Sequence, residues 1–198
     1  MYFYSIDKAA VAEFKDRGSR FIAYAYPLKD ADDFKKLLLG LKKEHPKAVH
    51  HCFAYRIGTD GNNFRVSDDK EPSGSAGKPI LNAIDSRQLT NVLIVVVRYF
   101  GGTLLGVPGL INAYKSSAAM ALQLVPAIQY AIEINYKLQF DYTMMNEVMM
   151  VIKQFNCSVI KQESQLFNII EVGIPKARLA EALNKLKELH TVEVISNK

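Results

Sequence analysis

The sequence predicts an α+β protein of two domains, and two observations lead to that prediction. In residues 129–198, segments in which apolar and polar residues alternate are interleaved with segments of helical periodicity. In residues 1–128, the unbroken apolar run Val92–Val97 indicates a strand buried on both faces, with an amphipathic segment before it and a helical segment rich in small residues after it. Helices and strands are therefore expected in both domains.

The elements of residues 129–198 follow from their periodicity. Residues 132–140 alternate as in a half-buried strand, and Pro175 ends another strand because proline has no N–H to donate to a ladder. The predicted elements are strand 132–140, helix 142–155, strand 157–160, strand 166–174, helix 178–189 and strand 191–195. This βαββαβ order is the split βαβ or ferredoxin-like arrangement, which hosts many functions and so indicates no particular one.

The elements of residues 1–128 are less regular. Phe34, Leu37, Leu38 and Leu41 recur at helical spacing, so we expect them to face a core. Residues 109–124 are rich in small side chains, which indicates a helix packed closely against a neighbour. The other predicted elements are strands at 20–26, 49–57 and 91–99, helices at 30–43 and 80–85, and a domain junction within 123–130.

Composition excludes several classes of protein. No apolar run approaches the ~20 residues of a membrane span, and the N-terminus has neither the basic nor the apolar region of a signal peptide. The two cysteines, Cys52 and Cys157, form no CxxC pair and suit a reducing compartment. We therefore expect a cytoplasmic protein without a membrane segment, a disulfide framework or a structural zinc site.

The positive charge of the chain is confined to its first part. The formal net charge is +5, and residues 1–128 hold 17 lysine and arginine residues against 12 acidic residues. Residues 129–198 hold eight of each sign. Such a modest positive field permits contact with RNA or with an acidic partner, although it does not demand either.

The segment Ser67–Pro79 (SDDKEPSGSAGKP) concentrates acids, glycines and a lysine in one connection. A P-loop has the pattern GxxxxGK[ST], but Pro72 occupies its first glycine position and Pro79 its Ser/Thr position. A phosphate-binding loop of that kind is therefore disfavoured.

Two other interpretations of this acidic loop remain. Asp68, Asp69 and Glu71 are weak candidates for a divalent-cation site, since hard cations prefer carboxylates, but their spacing does not match an EF-hand. In the structural interpretation, the acids and serines cap turns and helices, and the glycines adopt positive φ. Lys78 and Pro79 then open the following helix. Because exposed loops often carry function, the loop residues are also candidates for binding nucleic acid or another ligand: Asp68, Asp69, Glu71, Gly74, Gly77 and Lys78.

The segment Arg98–Leu110 (RYFGGTLLGVPGL) joins the buried strand to the helix rich in small residues. Glycines permit close backbone approach, and a strand-to-helix turn can present N–H groups to an anion. The segment is not GxGxxG, so dinucleotide binding is disfavoured. Arg98, Tyr99, Gly101 and Gly102 are therefore candidate ligand-binding residues, with tight packing of helix on strand as the alternative.

The adjacent histidines His50 and His51 lie within a predicted strand. Their side chains point to opposite faces, so they cannot both bind one metal without help from elsewhere. We expect one of them to face the core and the other to join the acidic loop, and His51 is a candidate ligand-binding residue. Cys52 is expected to be a small core residue, and no histidine, cysteine and acid have the spacing of a nucleophilic triad.

Four segments together resemble the YigZ/Impact family: residues 15–22 (KDRGSRFI), 45–55 (HPKAVHHCFAY), 67–79 and 95–114 (VVVRYFGGTLLGVPGLINAY). The paired patterns SDDxEPxGxAGxP and VVRYFGGxxLG are specific. Two positions depart from the family pattern. Lys70 replaces the usual glycine after the two aspartates, and Pro108 replaces the first glycine of the usual GGL step, and each restricts a backbone that relatives leave freer.

The resemblance implies both a fold and a role. It implies an N-terminal domain similar to the second domain of a small-subunit ribosomal protein and to the fourth domain of elongation factor G. It also implies a C-terminal domain similar to the fifth domain of elongation factor G. Eukaryotic Impact proteins are linked to translational control under amino-acid stress, partly through an extra N-terminal domain. This chain looks like the compact bacterial type, for which RNA or ribosome contact is the expectation.

We therefore expect domains at 1–128 and 129–198 and a non-enzymatic RNA- or ribosome-binding protein that acts in the regulation of translation without a cofactor. Phosphate contacts are expected from Arg98, Lys78, Lys115 and the backbone around Gly101 and Gly102. One alternative is a metal-dependent hydrolase built on the acidic loop and one of the two adjacent histidines. Another is a module that binds a protein partner in translation control and no nucleic acid.

Overall fold

The computed structural model describes residues 1–164 and 167–196. The chain divides into an N-terminal unit, Phe3–Tyr130, and a C-terminal unit, Ala131–Lys198 with Met1–Tyr2. No helix among the described residues has the length and apolar character needed to cross a bilayer. The strands and helices are β1 (Tyr2–Ser5), β2 (Ala10–Asp16), β3 (Ser19–Pro27), α1 (Ala31–Glu44), β4 (His50–Ile57), β5 (Asn63–Ser67), α2 (Gly77–Ser86), β6 (Val92–Tyr99), α3 (Gly106–Gln123), β7 (Ile128–Ala131), β8 (Glu133–Phe140), α4 (Met145–Gln154), β9 (Ser158–Ser164), β10 (Asn168–Pro175), α5 (Leu179–Glu188) and β11 (Glu193–Ser196).

The N-terminal unit is built on a five-stranded antiparallel sheet in the order β2-β3-β6-β4-β5. Its central strand β6 is buried from Val92 to Arg98, which confirms the prediction of a strand covered on both faces. Alternate residues enter two separate cores. Ile94 and Val96 pack with α2 and α3 on one face, while Leu93 and Val95 pack with α1 on the other. Each such side chain contributes about 1.5–3 kcal/mol when it is fully buried.

The C-terminal unit confirms the predicted βαββαβ order. Its antiparallel sheet has the strand order β11-β8-β10-β9, and α4 and α5 cover one face through a core that includes Leu138, Ile170 and Leu186. Pro175 ends β10 as predicted. Leu166, which begins the predicted strand 166–174, lies outside the described residues. Cys157 precedes β9, and partial burial raises the pKa of its thiol to about 11.

Several elements of the N-terminal unit differ from the sequence prediction. Strands β1, β2, β5 and β7 were not predicted, and α3 begins at Gly106 rather than at 109. β5 is an edge strand whose residues are almost all exposed, so its sequence lacks the alternation that marks a half-buried strand. β1 and β7 are four residues each and pair with one another in a two-stranded sheet. Their pairing joins segments about 125 residues apart, which no local pattern reveals.

Two backbones meet where the β2–β3 turn approaches the segment that follows β6. A Cβ atom on Gly101 would lie 1.9 Å from the carbonyl carbon of Gly18, so no side chain fits at position 101. Gly18 has a φ of +79°, a conformation that glycine adopts without steric cost. The Gly101 N–H also donates a hydrogen bond to Ser19 Oγ at 3.1 Å. The β2–β3 turn therefore fixes the position of the glycine-rich segment.

Gly101→Ala is expected to lower the free energy of unfolding by about 3 kcal/mol or more, since the two backbones would have to separate. Gly40→Ala is the matched control, because its Cβ would meet no atom within 4 Å and alanine within a helix is favoured over glycine by about 0.5–1 kcal/mol. Urea unfolding followed by circular dichroism compares the two variants. A Gly101→Ala protein as stable as the wild type would contradict the close approach.

Candidate functional site

The acidic loop between β5 and α2 opens with the tight turn Asp68–Glu71. The Glu71 N–H donates to the Asp68 carbonyl at 2.8 Å, and the central residues Asp69 and Lys70 have φ values of 39° and 73°. Two successive positive φ angles define a type I′ turn, which favours an Asn or Asp followed by glycine. Asp69 suits the first central position, whereas Lys70 occupies the second at some steric cost.

Asp68 organises the rest of the loop. Its Oδ1 accepts hydrogen bonds from the N–H groups of Ala76 at 3.0 Å and Gly77 at 2.8 Å, and its Oδ2 accepts from Gly74 at 2.9 Å. Burial raises the pKa of the Asp68 carboxyl, but the three N–H donors outweigh burial and lower the pKa overall. The carboxylate therefore caps the first turn of α2, where the helix dipole favours a negative charge.

The glycines of the loop have structural roles. Gly74 has a φ of +75°, which allows the chain to turn back toward Asp68. A Cβ on Gly77 would lie 2.8 Å from the backbone nitrogen of Ser67, so glycine lets α2 begin directly against the end of β5. Ser75 closes the intervening turn, since its Oγ donates to the Pro72 carbonyl at 2.6 Å. These contacts support the structural interpretation of the loop.

A buried ion pair joins the loop to β6 and α3. Glu71 Oε1 lies 2.6 Å from Arg98 Nη1 and accepts a hydrogen bond from the Tyr114 hydroxyl at 2.7 Å. The two charged side chains are only 3% and 7% exposed. The Arg98 guanidinium also lies over the rings of Phe21 and Phe100, at 5.4 and 5.7 Å from their centroids. A charge buried this deeply needs its partner, so the pair fixes all three elements together.

His50 and Cys52 extend this network from β4. His50 Nδ1 lies 2.7 Å from the Asp69 carbonyl oxygen, which can only accept, so Nδ1 carries the proton. His50 Nε2 is 3.6 Å from the Glu71 carboxylate. Cys52 Sγ lies 3.0 Å from the Asp68 carbonyl and 3.3 Å from the Tyr114 oxygen. Burial raises the pKa of the Cys52 thiol, so this cysteine is a poor nucleophile.

His51 is placed differently from His50. Only its backbone meets the acidic loop, since the His51 N–H donates to Asp69 Oδ2 at 2.7 Å. Its side chain is buried on the face of the sheet that α1 covers, and burial lowers its pKa. Within the described residues, His51 Nε2 has no hydrogen-bond partner. Strand alternation therefore directs His50, and not the candidate His51, to the loop.

The residues between β6 and α3, numbers 100–105, form an exposed glycine turn. Phe100 is 47% exposed and Leu104 is 82% exposed, and Val107 on the first turn of α3 is also exposed. Gly102 has a φ of +87°, so glycine is required there for conformational reasons. Adjacent exposed apolar side chains often mark an interaction site on a soluble protein. Tyr99 is directed away from this surface, since its hydroxyl lies 2.8 Å from His45 Nδ1.

Three exposed cations lie on α2, on α3 and in the β2–β3 turn. Lys78 on α2, Lys115 on α3 and Arg17 in the β2–β3 turn are exposed, and none of them forms an ion pair within residues 1–164 and 167–196. Arg17 precedes Gly18, which touches Gly101 of the glycine turn. Arg98, in contrast, is buried beneath the turn and is already paired with Glu71. Of the side chains predicted to bind phosphate, the two lysines are therefore exposed and the arginine is buried.

The acids of the loop do not converge on a common point. The Asp68 and Asp69 carboxylates accept from backbone N–H groups, while the Glu71 carboxylate is paired with Arg98. In the part of the chain that the structure describes, no three His, Cys, Asp or Glu side chains are arranged to hold a metal ion. The geometry of these donors therefore gives no support to the metal-dependent hydrolase.

Comparison with known proteins assigns the chain to a family. The model of the Impact N-terminal domain matches residues 17–122, a range that contains the acidic loop, the buried ion pair and the glycine turn. The chain belongs to the Impact family. An Impact family member of Haemophilus influenzae is 35% identical over 188 residues, which cover 93% of this chain and 91% of that protein. The Impact family member YigZ of Escherichia coli is 33% identical and covers 86% of this chain and 84% of its own length.

The fold of this Impact-family protein also matches a solved structure. The crystal structure of a hypothetical protein has a TM-score of 0.76 and 28% sequence identity to it, and the match covers 100% of this chain and 98% of that one. The whole two-unit chain, and not its N-terminal unit alone, therefore has a counterpart of the same fold.

The structure explains the two departures from the Impact pattern. The usual glycine at position 70 suits the second central position of the type I′ turn, and Lys70 adopts the same left-handed conformation with a φ of 73°. Pro108 is the third residue of α3, where a backbone N–H has no partner within the helix. Both residues therefore occupy positions whose local backbone can accommodate them.

Glu71→Gln is expected to lower the free energy of unfolding by about 3–5 kcal/mol, because it leaves the Arg98 charge buried without a counter-ion. The double variant Glu71→Met/Arg98→Met removes both charges. Its loss of unfolding free energy should therefore be about 1–3 kcal/mol smaller than the sum of the losses in the two single Met variants. A double-mutant cycle measured by urea unfolding at pH 7 tests this. Additive effects of the two substitutions would refute the coupling.

Asp68→Asn is expected to weaken the dependence of stability on acid pH. The pKa of Asp68 is lower in the folded state, so its stabilising contribution is complete above the unfolded pKa of about 3.9 and is lost as pH falls through the folded pKa. Urea unfolding between about pH 5 and pH 3 should show a shallower loss of stability in Asp68→Asn than in the wild type. Asp7→Asn, at an exposed carboxyl, is the control and should retain the wild-type slope.

Proposed function

We propose that this Impact-family protein is a non-enzymatic RNA- or ribosome-binding protein that acts in the cytoplasm in the regulation of translation. The observation that carries the proposal is the set of exposed cations on α2, on α3 and in the β2–β3 turn. Arg17, Lys78 and Lys115 project from the N-terminal unit, which holds all of the net charge of the chain. Lysine and arginine side chains are the usual partners of phosphate oxygens.

The contact surface differs from the sequence prediction at Arg98, at the Gly101 N–H and at Arg17. Arg98 is not available to a phosphate, because its guanidinium is buried against Glu71. The Gly101 N–H donates to Ser19 Oγ, so it is not free to bind an anion either. The proposed contacts are therefore Lys78 and Lys115, as the sequence predicted, together with Arg17, which the sequence prediction did not include.

The non-enzymatic part of the proposal is supported by how the polar groups of the loop are engaged. The Asp68 carboxylate caps a helix and the Glu71 carboxylate neutralises Arg98, so both groups hold the loop in place. Burial raises the pKa values of the Cys52 thiol and the Tyr114 hydroxyl, which makes both groups poor nucleophiles. The network therefore has the character of a rigid support beneath the turn.

The exposed apolar residues favour a second candidate function. Leu104 is 82% exposed at the tip of the glycine turn, and Phe100 and Val107 lie beside it. RNA backbones offer little surface for a leucine, whereas protein interfaces are centred on apolar side chains. A protein partner in translation control would use these residues, with the cations at the rim.

The triple variant Arg17→Glu/Lys78→Glu/Lys115→Glu is expected to abolish salt-sensitive co-sedimentation with purified ribosomes. Each lost phosphate contact should also lower the slope of log affinity against log salt by about 0.7–0.9 in titrations with RNA. Lys36→Glu is the matched control, since Lys36 is exposed on α1 at the opposite face of the sheet. Thermal unfolding should first show that all variants are folded.

The outcomes separate the two candidate functions. Unchanged ribosome association of the triple variant would contradict phosphate contact through these cations. Association that resists high salt but is lost in Leu104→Ser would indicate the apolar protein contact instead, because counterion release does not govern such an interface.

A further inference from the structure

A cleft lies in the N-terminal unit, apart from the exposed glycine turn. Seven residues line a cleft of about 430 Å³, within the range of roughly 300–1,000 Å³ that is usual for small-molecule sites. All of them belong to the segment 3–130. The lining residues are Phe3, Ser5, Pro27, Leu28, Lys29, Asn91 and Tyr130.

One wall of the cleft is aromatic. Phe3 and Ser5 are two residues apart on β1, so strand alternation places them on the same face. Tyr130 on β7 stacks on Phe3, with ring centroids 5.4 Å apart and an angle of 20° between the planes. Tyr130 is 36% exposed, so its ring retains surface on which a planar group can stack. Offset stacking of this kind is available to any flat aromatic ligand.

The opposite side of the cleft is formed by the end of β3 and the start of β6. Leu28 is buried, and its N–H donates to the Asn91 carbonyl at 2.8 Å, which holds the two segments together. The Asn91 side-chain oxygen accepts from the Gly58 N–H at 2.8 Å. Its NH₂ group makes no hydrogen bond within the described residues and remains a donor.

Lys29 supplies a cation at this site. Two of the three acids that follow it are engaged elsewhere, since Asp30 Oδ1 accepts from the N–H groups of Asp32 and Asp33, and Asp32 pairs with Lys35. Lys29 is exposed and pairs with no carboxylate among residues 1–164 and 167–196. Its ammonium is therefore free to bind an anion that extends from a ring stacked in the cleft.

We propose that this cleft binds a nucleoside monophosphate group, with the base stacked on Tyr130 and the phosphate at Lys29. An aromatic wall, the amide group of Asn91 and one cation match the three parts of such a ligand, a flat ring, polar ring edges and an anion. The same chemical group occurs in a free mononucleotide and in an unpaired nucleotide of RNA.

This site is independent of the proposed ribosome contact. The cleft lies at the start of β6, beside Asn91, and the glycine turn follows the end of β6, beyond Tyr99. The eight residues of β6 separate the two by roughly 23 Å. Failure of one proposal therefore leaves the other standing, because the two tests change different residues.

The experiment titrates the full chain with AMP and UMP by calorimetry and by saturation-transfer NMR. Lys29→Gln should weaken AMP binding about tenfold and leave adenosine binding unchanged, because only the phosphate contact is lost. Tyr130→Leu should weaken both ligands at least about fivefold, whereas Tyr130→Phe should retain them. Lys47→Gln, at an exposed lysine elsewhere in the unit, is the control and should bind as the wild type does.

Each outcome decides the proposal. A dissociation constant for AMP and UMP weaker than about 5 mM in the wild type would overturn it. So would AMP binding that is unchanged in both Lys29→Gln and Tyr130→Leu, or ribose 5-phosphate binding as tight as that of AMP. If a short single-stranded oligoadenylate displaces bound AMP at a concentration lower than that of AMP, the result would support binding in the cleft and identify RNA as the source of the nucleotide. Binding of AMP without such competition would support it and identify a free nucleotide.

Discussion

The carboxylate of Glu71 is the interaction on which the architecture of the candidate site depends. One of its oxygens lies within hydrogen-bonding distance of Arg98 on β6 and Tyr114 on α3, and His50 on β4 approaches the same oxygen. The loop that carries Glu71 is thus tied to the centre of the sheet and to the helix above it. Since an unpaired buried charge is costly, none of these partners can move alone. The exposed glycine turn rests on this base through the contact of Arg98 with Phe100.

The acidic loop resembles a P-loop in its Gly-Lys step, and the side chain of Asp68 explains why it does not act as one. In a P-loop, backbone N–H groups at the start of a helix bind a phosphate. Here the N–H groups of Gly74, Ala76 and Gly77 are directed at an anion too, but that anion is the carboxylate of Asp68. The chain supplies the negative charge internally, so the start of α2 is already occupied. This is why the Gly-Lys pattern is present without the chemistry that it usually accompanies.

The sequence predicted those parts of the structure in which a local pattern reports burial. Strand β6 followed from its unbroken apolar run, since it is buried on both faces, and the βαββαβ order followed from hydrophobic periodicity, since each element there has one buried face. Strands β1, β5 and β7 were not predicted, because they are short or exposed and form only by pairing with other strands of the sheets. In the site, the segments were predicted but the contacts were not. Alternation alone could not tell whether His50 or His51 meets the loop, since that depends on which face α1 covers.

The thiols of both cysteines in the chain have low reactivity. Cys52 is fully buried, and burial raises the pKa of Cys157 to about 11, so little thiolate forms at either position near neutral pH. A cysteine introduced on the exposed surface would therefore react with maleimide or iodoacetamide dyes well before the two natural thiols. Position 104, at the tip of the glycine turn, is 82% exposed and is a suitable attachment point for a fluorescent or spin label. The natural sequence can thus serve as the parent for single-site labelling, without first replacing its own cysteines.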